Sequence, residues 1–150
     1  MIALIQRVNE ASVKIDNNEI SSIKKGLLIF LGITHNDDLD DVSWLCNKIV
    51  NLRIFDDSDG IMNRSCIEEC LDILTISQFT LHARTKKGNR PSYIDSAVPE
   101  NAIPLYNSFI SSLDKLMNKK TYTGEFGADM KVSLINNGPV TIIIDSKNKR

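Results

Sequence analysis

Two short segments, far apart in the chain, hold the residue types that can do chemistry. The first is Ser77-Gln78-Phe79-Thr80-Leu81, followed at once by His82. The second is Asn137-Gly138-Pro139-Val140-Thr141. Each closes or opens an apolar, strand-like run, and each puts small hydroxyls and bare backbone where a buried core would take bulk. Ser77 and Thr80 supply hydroxyls, and His82 is the nearest base. In a strand, Thr80 and His82 would share a face, but a shared face is not a hydrogen bond between nucleophile and base. No nucleophile elbow, glycine-rich phosphate loop or zinc motif occurs. A lone histidine at the head of a basic loop reads as solvated.

The elements that must carry these segments follow from the hydrophobic pattern. Residues 2–8 and 11–15 read as strands, the second alternating apolar and polar, with a turn at Asp16-Asn17-Asn18. The almost continuous apolar run of residues 26–33, bounded by glycine, predicts a strand buried on both faces. Asp37 or Asp38 can cap a helix in which Leu39, Val42, Leu45, Cys46 and Ile49 recur at helical spacing, with Trp44 at its margin. Residues 52–55 read as a short strand and residues 56–60 as an acidic turn. That turn matches a calcium loop poorly: with Gly60 in the glycine position, Phe55 falls where the first carboxylate belongs. Residues 71–76 lead as a strand into the first segment. Pro99 and Pro104 bracket the start of a second helix, carrying Ile103, Tyr106, Phe109, Ile110 and Leu113. Residues 130–135 and 140–144 read as two strands joined through Asn136-Asn137-Gly138-Pro139. The sum is an α+β, strand-rich domain with two main helices, spanning residues 1–146, and a charged, disordered tail over 147–150.

Bulk properties narrow the class. A chain of 150 residues, 42% hydrophobic and 25% charged, is long enough for one domain with a real core. No stretch approaches a membrane span, and the apolar part of the N-terminus is too short for a signal peptide, so a cytoplasmic protein is expected. Cys46, Cys66 and Cys70 are odd in number, which disfavours a disulfide framework. With His35 and His82 as the histidines, these cysteines do not assemble a zinc site by spacing; no metal and no cofactor are expected. The net charge of −1 gives no general attraction to nucleic acid. The charge is local instead: His82 to Arg90 contains Arg84, Lys86, Lys87 and Arg90 and no acid. This is an ordinary solvated loop or, beside an active site, a set of phosphate contacts.

The two segments closely resemble the signature motifs of the D-aminoacyl-tRNA deacylases, which remove wrongly attached D-amino acids from tRNA. The likeness extends to Gln6-Arg7-Val8, Ala11-Ser12-Val13, Gly88, Arg90-Pro91-Ser92 and Gly127-Ala128-Asp129-Met130, and so over nearly the whole chain. Tyr93 stands where the family commonly has phenylalanine. The resemblance implies a small β-barrel-like domain with the helices packed against it, working as a homodimer with active sites at the subunit interface and without a membrane. It implies a cis Gly138-Pro139 bond inserted into the partner's pocket, where the two carbonyls hold the substrate's α-amino group and exclude an L side chain. It assigns catalysis to Ser77 and to the backbone N–H groups of Phe79 and Thr80 as oxyanion donors. Thr80 as a covalent nucleophile is the rival. Gln78 and Met130 would bind substrate beside Gly138 and Pro139, Arg7 would brace the turn, and Phe79 would meet the terminal adenine or fill core. The implied partner is the acceptor end of D-aminoacyl-tRNA, with glycyl-tRNA also admitted because glycine is achiral. A catalytically weak dimer that binds RNA or DNA ends is the competing function. A related fold edits within certain threonyl-tRNA synthetases, for which 150 residues leave no room.

Overall fold

The computed structural model describes residues 1–149. Its centre is β1 (Ile2–Ile15), a fourteen-residue strand. Along one edge β1 pairs antiparallel first with β3 (Gly26–Gly32) and then with β2 (Asn18–Ile23), to which it is joined by a tight turn. Asp16 and Asn17 take that turn at φ 48° and 66°, the left-handed region that Asp and Asn tolerate better than most residues. β3 pairs in parallel with β6 (Asp72–Ser77), and β6 in parallel with the two-residue β7 (Tyr122–Thr123). The Ser21 hydroxyl donates to the Thr123 carbonyl at 2.7 Å, so β2 reaches β7 and the sheet nearly closes into a barrel. A separate hairpin joins β4 (Phe55–Asp56) to β5 (Met62–Arg64).

β3 is buried on both faces, as its apolar run requires. Leu27, Ile29 and Leu31 face a core under the two helices, while Leu28 packs with Val8, Val13, Leu74 and Ile76 inside the barrel. α1 (Leu39–Val50) starts at Asp38, whose carboxylate accepts from the Asp40 and Asp41 amides in a reciprocal capping box with Asp41. Val42, Leu45, Cys46 and Ile49 are buried, but Leu39, counted with that face in the sequence, is exposed in the first turn. α2 (Pro99–Met117) has Pro99 at its start, Pro104 within it, and Tyr106, Phe109 and Leu113 against the sheet. The Tyr106 hydroxyl donates to the Thr75 carbonyl at 2.9 Å, pinning α2 to β6.

The second segment departs from its expected form. Lys131–Asp145 is one strand, β8, along the other edge of β1. Gln6 pairs with Thr141 and Val8 with Asn136, so residues 137–140 all stand opposite Arg7. The Gly-Pro turn is thus a wide bulge inside a continuing ladder, not a connection between two strands. Beyond β8, Lys147 binds the Asp41 carboxylate at 2.6 Å and Lys149 Nζ sits 4.5 Å from the Trp44 ring centroid. Lys147 and Lys149 therefore have side-chain partners in a tail expected to be disordered. Arg150, the last residue of that tail, lies outside the described residues. No helix is long and apolar enough to cross a membrane among the described residues.

Candidate active site

The strand β6 ends at Ser77, and Gln78 hands its amide to the Leu31 carbonyl of β3 at 2.8 Å. The chain then turns through one 3-10 turn, Phe79–His82. The first N–H groups of such a turn lack partners within it. Accordingly the amides of Phe79 and Thr80 have no protein acceptor among the described residues. Phe79 lines a cavity of about 260 Å³, and Thr80 follows it in the turn. Ser77, Gln78 and Phe79 form one wall, Met130 and Val132 of the segment entering β8 another, and Phe126 and Ala102 close it toward α2. Phe126 is held edge-on against Tyr106 with ring centroids 5.6 Å apart. None of the lining residues is charged.

Four of the sequence-predicted residues, Ser77, Gln78, Phe79 and Met130, thus share one cavity. Thr80 lies just outside it. Its hydroxyl oxygen accepts from Gln78 Nε2 at 2.6 Å, and no imidazole or carboxylate contacts it among the described residues. His82 is no base for it: the ring packs toward Gly32, with Nε2 buried and without a partner. Phe126, Ala97 and Ala102 were not singled out in the sequence. Phe126 directly precedes the Gly127-Ala128-Asp129-Met130 run, and that adjacency was the one signal available.

Gly138 and Pro139 do not reach this cavity. They are exposed on the β8 bulge, joined by a cis peptide bond. Asn136 clamps the bulge by accepting from the Val140 amide at 2.9 Å, and Asn137 donates to the Asn9 side chain at 2.8 Å. Arg7 braces it from below. The residue is 6% exposed; Nε donates to the Asn137 carbonyl at 2.9 Å, and Nη1 to the Ile54 carbonyl and the Asp56 carboxylate at 2.7 and 3.0 Å. Arg7 is therefore a buried structural cation and not one on an open strand face.

A family model described as D-Tyr-tRNA(Tyr) deacylase matches residues 4–145. The chain belongs to that family. A D-aminoacyl-tRNA deacylase of Bacteroides fragilis is 60% identical over 149 residues, 99% of each chain. One from Cytophaga hutchinsonii is 60% identical over 150 residues, all of both chains. Among solved structures, the c-Myc DNA Unwinding Element Binding Protein superposes with a TM-score of 0.92 at 38% identity, covering 97% of this chain and 98% of that one. The deacylase resemblance carried by Ser77–Leu81 and Asn137–Thr141 thus holds over the full length, and the barrel-like fold with two helices is the one expected of it.

Proposed function

We propose that the protein hydrolyses the ester joining a D-amino acid to tRNA, glycyl-tRNA included, releasing the amino acid and free tRNA. The observation that carries this reading is the uncharged cavity lined by Phe79, whose amide, with that of Thr80 next to it, has no acceptor among the described residues. Water adds to the ester carbonyl, whose oxygen becomes an oxyanion facing the Phe79 and Thr80 N–H groups. When the C–O bond breaks, the pair of electrons leaves with the ribose oxygen. One proton of the added water ends there, the other passes to solvent, and the amino acid departs as carboxylate. An aminoacyl ester is labile, activated by its own ammonium group, and the neighbouring ribose 2′-hydroxyl can position the water. No side-chain nucleophile is then needed, in keeping with a Thr80 hydroxyl bonded to Gln78 and lacking a base.

The substrate's ammonium finds no carboxylate among the lining residues of its own chain. The carbonyls of an exposed Gly138-Pro139 turn fit that need, but only from a second copy. We therefore infer a homodimer in which each turn enters the other subunit's cavity and leaves no room for an L side chain. β8 supports this: among the described residues its outer edge has no partner strand, and Ile135 and Ile143 are exposed on it. The cytoplasm, where tRNA is charged, is the compartment this reading requires.

A second reading, a nucleic-acid-end binder with weak catalysis, draws on the basic loop and on the likeness to the c-Myc DNA Unwinding Element Binding Protein. Purified protein, assayed with a chelator on matched D-tyrosyl-, L-tyrosyl- and glycyl-tRNA, separates the two. Loss of the D and glycyl esters alone is the expected result. Retention of all three with tRNA bound moves the assignment to the binder, and loss of the L ester as well removes chiral selection.

A further inference from the structure

Beside the cavity, residues 84–92 form a hairpin closed at its root by Arg84 and Ser92, whose amides and carbonyls bond reciprocally at 2.8 and 3.0 Å. Every residue from Arg84 through Ile94 is exposed, and none is acidic. Of its four cations, Arg84 is committed to an ion pair with Asp95, which holds the Asp95 carboxyl below its ordinary range. Lys86, Lys87 and Arg90 pair with no carboxylate among the described residues.

A basic loop alone would be a solvated one; its attachment gives this one a direction. Thr34 Oγ1 donates to the Asp95 carbonyl at 2.7 Å, and Ser96 Oγ donates to the Phe79 carbonyl at 2.8 Å. The hairpin's root is thereby fastened to the rim of the cavity. Tyr93 stands edge-on to Phe79, ring centroids 5.1 Å apart, and the two residues are 41% and 55% exposed. An open aromatic edge lying between a cavity and uncommitted cations is what a single-stranded nucleic acid binds: rings for bases, cations for phosphates.

We propose that the hairpin and the Phe79–Tyr93 edge form a second subsite, for the unpaired nucleotides that precede the esterified one. Tyr93 stacks on a base, and Lys86, Lys87 and Arg90 meet phosphates. The inference rests on the tRNA-ester reading above and deepens it, since the cavity itself takes the amino acid and its nucleoside.

The test reads binding apart from catalysis. Affinity for uncharged tRNA is measured by anisotropy across a salt series for the wild type, the triple variant K86Q/K87Q/R90Q, Y93A and Y93F. Three phosphate contacts contribute about 0.7 each to the salt slope of a single strand, so the triple variant should lower the slope by about 2 and weaken binding about 20-fold at low salt. Y93A should weaken binding about tenfold, the scale of one lost base stack, with Y93F close to wild type. In a second arm, the losses of the triple variant and of Y93A on D-tyrosyl-tRNA should exceed their losses on D-tyrosyl adenosine, which carries the ester and no phosphate. An unchanged salt slope in the triple variant, or equal losses on the two esters, overturns the subsite; Y93F behaving as Y93A overturns the stacking. If the wild type cleaves neither ester while the triple variant still loses tRNA, the hydrolase reading falls and the subsite stands.

Discussion

Arg7 Nε donates to the Asn137 carbonyl at 2.9 Å across 130 positions of sequence, and Arg7 is the one residue of β1 that faces the whole Gly-Pro bulge. A planar fork can hold this carbonyl, the Ile54 carbonyl and Asp56 together; a lysine ammonium on the same stem cannot. Removing it leaves the buried Ile54 carbonyl and the part-buried Asn137 carbonyl without this donor. Arg7→Ala should cost about 2–4 kcal/mol in urea unfolding, with Arg7→Lys in between. D-tyrosyl-tRNA hydrolysis should fall in both variants at temperatures where they remain folded. Wild-type stability in Arg7→Lys would show that the fork is not the brace.

Gly138 has φ +134°, and a Cβ there would stand 2.8 Å from Val140 Cγ2 and 3.0 Å from Arg7 Nη2. Gly138→Ala must shift the bulge and should lower hydrolysis or selectivity for the D ester. Its partner experiment is complementation with Ser77→Leu, which narrows the cavity. If the turn serves the other subunit and each variant alone is impaired in hydrolysis, mixing the two restores one intact site per heterodimer, about a quarter of wild-type activity at random assortment above the variants' own residual rates. No recovery in verified heterodimers would place the turn's role within its own chain.

The Thr80 hydroxyl has Gln78 as its partner and no base among the described residues. Thr80→Ala should therefore retain hydrolysis within about tenfold, whereas a true nucleophile costs a thousandfold or more. Single-turnover rates on D-tyrosyl-tRNA decide, because they exclude product release.

What could be read in the sequence was local. The Asp38 cap and the buried face of α1 lie within one helix, and the double burial of β3 shows in an unbroken apolar run. β2 has no sequence signature because Asn18, Glu19 and Ser22 are exposed and polar, and the strand exists through its ladder to β1. β8 reads as two strands because Gly138-Pro139 punctuates the sequence, while pairing with β1 continues on both sides of the bulge. The site shows the same limit. Ser77 to Phe79 announce themselves by type and family likeness. Ala97 and Ala102, which shape the cavity, are small apolar residues and carry no chemical signal of their own. Nor does a strand pattern reveal that Gly138 stands apart from the cavity in its own chain.

Acid stability should turn on Asp41. Burial opposes its ionisation, but hydrogen bonds from Lys147, Ser146 and the Asp38 amide outweigh that and bring its pKa from 3.8 to about 2. The carboxylate is favoured in the folded state, so its contribution is present above the unfolded value and is lost as pH falls through the folded one. The shift corresponds to about 2 kcal/mol at neutral pH. Asp41→Asn should lose that amount in urea unfolding at pH 7 and show a shallower decline between about pH 4 and pH 2. An unaltered acid limb would mean that Lys147 does not hold the carboxylate in solution.

The three thiols should separate by reactivity. Burial pushes Cys46 and Cys66 up to about 12, so at pH 8 almost none of either is thiolate, and both lie out of reach of reagent. Cys70 is exposed at the turn before β6. Native protein treated with a thiol-specific chromogen should release one equivalent quickly, and the other two only on unfolding. Cys70→Ser should abolish the fast equivalent and leave hydrolysis intact, since the residue lies outside the cavity and the bulge. Two fast equivalents in native protein would show that the core around α1, or the turn holding Cys66, opens far more readily than its packing implies.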